Sequence, residues 1–258
     1  MTLKPRSVDE YHVFLASPGD MNDERQLVRA FFDEYNRTTA RLWDVRFVVV
    51  DWENYSTAGV GRPQELITSQ TLEKYRGSLA LVIGLMGQRF GSPTEDYESG
   101  TEEEFEWALN SYVDTNFPEI KWFFRKVEQF VVPSTDSQEI QTAVEQWQKV
   151  QKFKSRLQEG NAERGHPPLF YKEFSHASDF GEVLRNDLAL WLGDPDRAWV
   201  KTSEARAETP VSSSNVALDY YRNIIQDFQW MDISGIDTDR AFRIPLSDMY
   251  VRLRVTLD

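Results

Sequence analysis

Five short apolar runs, separated by segments of helical periodicity, constrain this chain more than any other feature. They are Tyr11–Ala16 (YHVFLA), Val45–Val50 (VRFVVV), Ser78–Met86 (SLALVIGLM), Ile120–Phe124 (IKWFF) and Leu169–Phe174. Runs of this length, rich in β-branched and aromatic residues, read as strands buried on both faces. Between them, Met21–Arg37 carries Leu27, Ala30, Phe31 and Tyr35 on one side. Pro63–Tyr75 opens with a proline suited to a first helical turn. Thr101–Val113 sets Phe105, Ala108, Leu109 and Tyr112 at i, i+3, i+4 and i+7. Ser134–Gly160 is long and polar, with Ile140, Val144, Trp147, Val150, Phe153 and Leu157 as its apolar side, and Ala177–Leu192 closes the pattern. Strand and helix alternate, which predicts an α/β fold built on a five-stranded parallel sheet. The polar stretch Gly193–Asn215 reads as a linker. Val216–Trp230 follows as a short amphipathic helix and Met231–Asp258 as strand-like segments.

Composition removes several classes of function. The 258 residues carry 29 Lys and Arg against 42 Asp and Glu, a net charge of −13. That balance argues against a nucleic-acid binder, which needs a basic footprint, and against a surface that sits on anionic lipid. With no cysteine, a disulfide scaffold, a thiolate zinc site and a cysteine nucleophile are excluded. Met1–Glu10 lacks the apolar core of a secretory signal, and the longest apolar stretch, Leu79–Gly87, falls far short of the ~20 residues that span a bilayer. A soluble, cytoplasmic protein is the expectation, with neither nucleic acid nor membrane as partner.

In an open parallel sheet, ligands bind where loops leave the carboxyl ends of the strands. Those loops are Ser17–Asp20, Asp51–Arg62 and Gly87–Gly100. The last leads into a helix start crowded with Glu102, Glu103, Glu104 and Glu106. Acidic residues suit a helix N-terminus through its dipole, and two capping boxes compete, Ser99-x-x-Glu102 and Thr101-x-x-Glu104. If Ser99 and Glu102 cap the helix, Glu104 is left for the sheet end. Asp20, Arg25 and Arg89 read either as polar lining of the cleft or as structural ion pairs, and Trp52 as pocket lining or sheet cover. Gly84-x-x-Gly87 and Gly59-x-Gly61 lack the context of nucleotide loops, and there is no P-loop. His12, His166 and His176 lack metal-ligand spacing, so no metal is expected, and Ser17 lacks a nucleophile elbow.

The order of motifs carries a resemblance. Phe14-Leu15-Ala16-Ser17-Pro18-Gly19-Asp20, Glu24-Arg25, Asp51-Trp52-Glu53, Arg62-Pro63-Gln64, Arg89-Phe90-Gly91-Ser92-Pro93-Thr94 and Ser99-Gly100-Thr101-x-x-Glu104-Phe105 together resemble the "SPGD" variety of TIR-like domain. Such domains stand at the N-terminus of bacterial STAND ATPases and NACHT proteins. The resemblance covers residues 9–192 and implies a flavodoxin/TIR-like three-layer sandwich. Residues 193–215 then form the linker, and 216–258 is similar to the segment preceding a NACHT ATPase module. The resemblance further implies an antiphage effector that cleaves the nicotinamide–ribose bond of NAD⁺, which is a substrate and not a cofactor, once the ATPase module drives self-association.

Gly100-Thr101-x-x-Glu104 also matches the pattern that places a reactive carboxylate in nucleoside deoxyribosyltransferases. It therefore implies Glu104 as the catalytic residue; loop position alone assigns Ser17, Asp20, Trp52 and Arg89, with Thr101 at the helix start, to substrate binding. TIR enzymes often complete their site with a neighbouring protomer's loop, here the Asp51–Arg62 loop, so a weakly active isolated domain is expected. Two other readings stay open: a TIR-like interaction module without catalysis, and a glycosidase acting on another nucleoside or nucleotide.

Overall fold

A computed structural model describes residues 7–51, 69–127, 130, 132 and 134–200, with the backbone of 230–233 and 242–245. Trp52, the rest of the Asp51–Arg62 loop, the expected helix from Pro63 through residue 68 and the amphipathic segment 216–229 lie outside the described residues. The chain divides into two units, Met1–Ser203 and Glu204–Asp258.

In the first unit the apolar runs become β1 (Asp9–Ala16), β2 (Val45–Val50), β3 (Leu79–Met86), β4 (Glu119–Arg125) and β5 (Lys172–Phe174). All neighbours pair in parallel, in the order β2-β1-β3-β4-β5. That is the flavodoxin-like doubly wound order. The helices are α1 (Asn22–Thr38), α2 (Gly100–Thr115), α3 (Ser137–Glu159) and α4 (Ala177–Leu192).

Successive strand residues face opposite sides, and the core splits accordingly. Val13 and Leu15 of β1 join Phe47, Leu81, Ile83 and Phe123 in a cluster with Val28 and Phe32 of α1 and Phe180, Leu184 and Leu188 of α4. Phe14 and Ala16 join Val82, Met86, Trp122 and Phe124 in a second cluster with Phe105 and Ala108 of α2 and Val150 and Phe153 of α3. The expected three layers are present, with both faces of the sheet covered as a parallel sheet requires.

One glycine on β3 is fixed by this packing. Gly84 is the register partner of Trp122, and a Cβ there would lie 2.1 Å from the indole Cε3. Only a bare backbone lets the ring lie across the strand.

Two expectations shift. Only Lys172–Phe174 of the run Leu169–Phe174 pairs as strand. Leu169 instead donates its N–H to the Leu157 carbonyl, 2.7 Å away, and Phe170 is 87% exposed. The start of the expected linker is also packed. Trp199 is buried against Tyr11, Phe47 and Trp191, and its Nε1 donates to the Leu192 carbonyl at 3.0 Å. Burying a side chain of this size contributes roughly 2–3 kcal/mol, so the first unit holds its chain through residue 200.

Of the second unit the structure describes β6 (Trp230–Ile233) and β7 (Phe242–Pro245), an antiparallel pair with Trp230 opposite Pro245.

Candidate active site

The strand order reverses between β1 and β3, so the crevice for a ligand lies outside their carboxyl ends. Ser17-Pro18-Gly19-Asp20 leaves β1 there, and Gly87 begins the loop from β3.

Asp20 ties the two loops together. Its Oδ2 accepts the backbone N–H groups of Gln88 and Arg89 at 3.2 and 3.3 Å. Arg125, at the end of β4, donates to the Asp20 carbonyl at 3.3 Å and to Glu24 Oε1 of α1 at 3.1 Å, and its Nη2 lies 3.6 Å from Asp20 Oδ2. Gly87 sits beneath this junction. A Cβ there would come within 2.9 Å of Asp20 Oδ2, Arg125 Nη2 and Met21 Sδ. Buried Ser17 accepts at Oγ from Arg25 Nη1 at 3.3 Å, and the same nitrogen donates to the Pro18 carbonyl. Asp20 and Arg25 therefore brace the loops, while Arg89 is exposed at the rim with its guanidinium 3.9 Å from a Cβ placed on Gly19. Glu24 and Arg125 belong to this junction too. Glu24-Arg25 was visible only as a motif, and nothing in the sequence links Arg125 to residues a hundred positions earlier.

The β3–α2 loop is held from α3. Gln146 accepts from the N–H groups of Phe90 and Gly91 at 2.9 and 3.0 Å and donates to the Gly91 carbonyl at 3.1 Å. Gly91 has φ of 113°, a region that favours glycine. Its Cβ position lies 3.2 Å from Ser99 Cβ and 4.0 Å from Pro18 Cβ, so the start of α2 abuts the SPGD turn.

The competition between capping boxes has a clear outcome. Ser99 is extended at the N-cap, and its Oγ accepts from the Glu102 N–H at 3.1 Å. The Glu102 carboxylate turns back to the Glu98 N–H at 2.9 Å and pairs with Arg156 of α3 at 2.7 Å. Glu106, one turn on, also faces Arg156, at 3.3 Å. Glu104 belongs to neither arrangement. Helical spacing puts it on the stripe of Thr101 and Ala108, all three buried, with Glu104 only 4% exposed. This helix lies across β1, β3 and β4.

Ser17, Asp20 and Arg89 are thus gathered at the strand ends, Thr101 and Glu104 share the inner stripe of the adjoining helix, and Trp52 lies outside the described residues. Among the described residues, no three His, Asp or Glu side chains come together as a metal would need. His12 stacks on Tyr75, with Nδ1 2.9 Å from Ser78 Oγ. The His176 backbone N–H donates to Asp179 at the start of α4, and His166 approaches Glu106. No helix of the described residues is long and apolar enough to cross a membrane.

A family model described as a domain of unknown function, DUF4062, matches residues 12–189, from within β1 to within α4. The chain belongs to the DUF4062 family. No curated protein matches it. The DUF4062 match takes in both switch-point loops and the whole of α2, so every candidate described above lies inside the family region.

Proposed function

We propose that this DUF4062 chain is a TIR-like effector of antiphage defence that cleaves the nicotinamide–ribose bond of NAD⁺ when copies are brought together. One observation supports it above the others. With Ser99 and Glu102 serving the helix N-terminus, capping does not account for the Glu104 carboxylate buried on the stripe of Thr101 and Ala108. That carboxylate lies in the first turns of the helix whose start abuts the SPGD turn, and this placement at the strand ends supports a catalytic role.

The chemistry suits a single carboxylate. Nicotinamide in NAD⁺ already bears positive charge, so it leaves as a neutral molecule without a strong general acid. Its departure takes the C–N bonding pair and leaves positive charge on the ribose carbon. An anion beside that carbon stabilises the oxocarbenium-like state, and water then adds to give ADP-ribose and a proton. Arg89 at the rim suits the phosphates, and Ser17 suits a ribose hydroxyl.

The test is a fusion of the chain to a short oligomer-forming coiled coil, with NAD⁺ loss followed over time. The clustered protein should consume NAD⁺, the unfused protein should be slow, and Glu104→Gln should lower turnover on the order of a hundredfold or more. Undiminished turnover in that variant rejects the assignment. A nucleotide panel read by mass spectrometry separates the other readings. Free bases released from nucleosides would indicate a different glycosidase, and no turnover of any nucleotide would indicate an interaction module.

A further inference from the structure

A second pocket lies on the other side of α2, between that helix, α3 and the loop at 160–169. It has a volume of about 170 Å³ and is lined by the apolar side chains of Phe105, Leu109, Leu157 and Leu169 together with the polar groups of Glu106, Arg156 and His166. An apolar cavity of about 150 Å³ accepts one benzene ring, so this space is the size of a single six-membered ring and too small for a nucleotide.

The polar wall is incompletely bonded. Arg156 gives Nη1 to Glu102, but its Nε and Nη2 are buried without a hydrogen-bond acceptor. Glu106, with 7% of its side chain exposed, has ion-pair contacts at 3.3 Å to Arg156 Nη2 and 3.7 Å to His166 Nδ1, the latter beyond hydrogen-bond range. His166 Nε2 lies 2.9 Å from Asn110 Oδ1, which holds the ring with Nδ1 toward Glu106. Donors of Arg156 without a hydrogen-bond acceptor therefore stand beside the Glu106 carboxylate in a pocket that is otherwise largely apolar.

The loop that presents His166 is closed on itself. Asn161 and His166 exchange both backbone hydrogen bonds at 2.9 Å. At Gly160, with φ of 67°, a Cβ would meet the Pro168 nitrogen at 2.7 Å. The wall is built before any ligand arrives.

We infer that this pocket binds a single-ring aromatic carboxamide, its carbonyl accepting from Arg156, its N–H donating to Glu106, and its ring on Phe105, Leu109 and Leu157. A neutral amide supplies an acceptor and a donor on one planar group, matching the adjacent guanidinium and carboxylate. An aromatic acid would set a second anion against Glu106, and an arylmethyl amine a second cation against Arg156. That the natural occupant is nicotinamide, the leaving group of the proposed reaction, rests on that reading; the amide selectivity does not.

The experiment titrates the intact chain with nicotinamide, benzamide, nicotinate and benzylamine, following amide NMR shifts of residues 102–110 and 156–169. The two amides should bind about tenfold or more tighter than the two charged probes, the ratio expected for one misplaced charge at a half-buried site. Glu106→Gln should narrow the gap between nicotinamide and nicotinate. Leu109→Phe should fill the cavity and abolish binding while circular dichroism stays unchanged. Glu104→Gln should leave amide binding intact. Equal binding of all four probes, or of none, overturns the inference. So does amide binding that is lost with Glu104→Gln and kept with Glu106→Gln, because the ligand would then sit at the sheet end. NAD⁺ turnover is measured separately, so either proposal can fail alone.

Discussion

Helix α2 buries carboxylates on two sides, and the two sides treat them differently. Toward α3, Glu102 and Glu106 meet a guanidinium, and Glu102 also satisfies a backbone N–H of the helix entry. That side follows the ordinary rules of helix ends and ion pairs. On the stripe shared with Thr101 and Ala108, Glu104 is as deeply buried but has no part in the cap. Residue type does not distinguish the two sides; a difference of two positions in sequence does. Local charge density at a helix start is therefore a poor guide to function until the capping residue is known.

The contrast breaks or holds most visibly at Glu104. In clustered protein, Glu104→Gln should cut NAD⁺ consumption on the order of a hundredfold or more and leave the melting temperature little changed. A variant that unfolds instead would make Glu104 structural like its neighbours. Glu102→Ala should do the reverse. Losing its bond to the Glu98 N–H and its pairing with a half-exposed Arg156 should cost about 1–3 kcal/mol in denaturant unfolding, with turnover per folded molecule retained. Ser99→Ala removes the N-cap oxygen and should cost about 1 kcal/mol.

The smallest effect is a control far from both sides. Burial pushes the Asp187 carboxyl up, but hydrogen bonds from Lys121 and Lys172, and their charges, outweigh it and hold it below the usual aspartate range. A depressed carboxyl stabilises the fold above its unfolded-state value and loses that contribution as pH falls through its folded-state value. Asp187→Asn should flatten the acid limb of a stability profile without altering turnover at neutral pH. His12 works in the same direction but begins nearer neutrality. Burial pushes it down, with Lys74 adding to that and Glu10 opposing it, so its contribution too is lost on acidification.

The fold was largely legible because its signals are local. Val45–Val50 and Ala177–Leu192 are element bounds that the spacing of apolar residues predicts and the structure repeats. Errors arose where a neighbour overrides the local pattern. The long helix begins at Ser137 and not at Ser134, because Asp136 accepts the Gln138 and Glu139 N–H groups as its cap. Leu169 is drawn to a carbonyl of α3 and leaves the strand. Of the candidate site, the loops could be found from spacing and Glu104 is singled out by the resemblance, whereas Asp20 reads as a brace only once Gln88 and Arg89 are seen beside it. The pocket behind α2 carried no sequence signal. Its polar groups come from positions 106, 156 and 166, and only the packing of α3 on α2 assembles them.

The indole of Trp199 also has a practical consequence. A fragment trimmed to the family match would stop at residue 189 and lose both Trp191 and Trp199, which cover Phe47 in the intact chain. Such a truncated product would present a fresh aromatic patch to solvent and clump for reasons unrelated to its biology. A cut placed after residue 200 retains that cover, and only with it in place does the assembly of copies become interpretable.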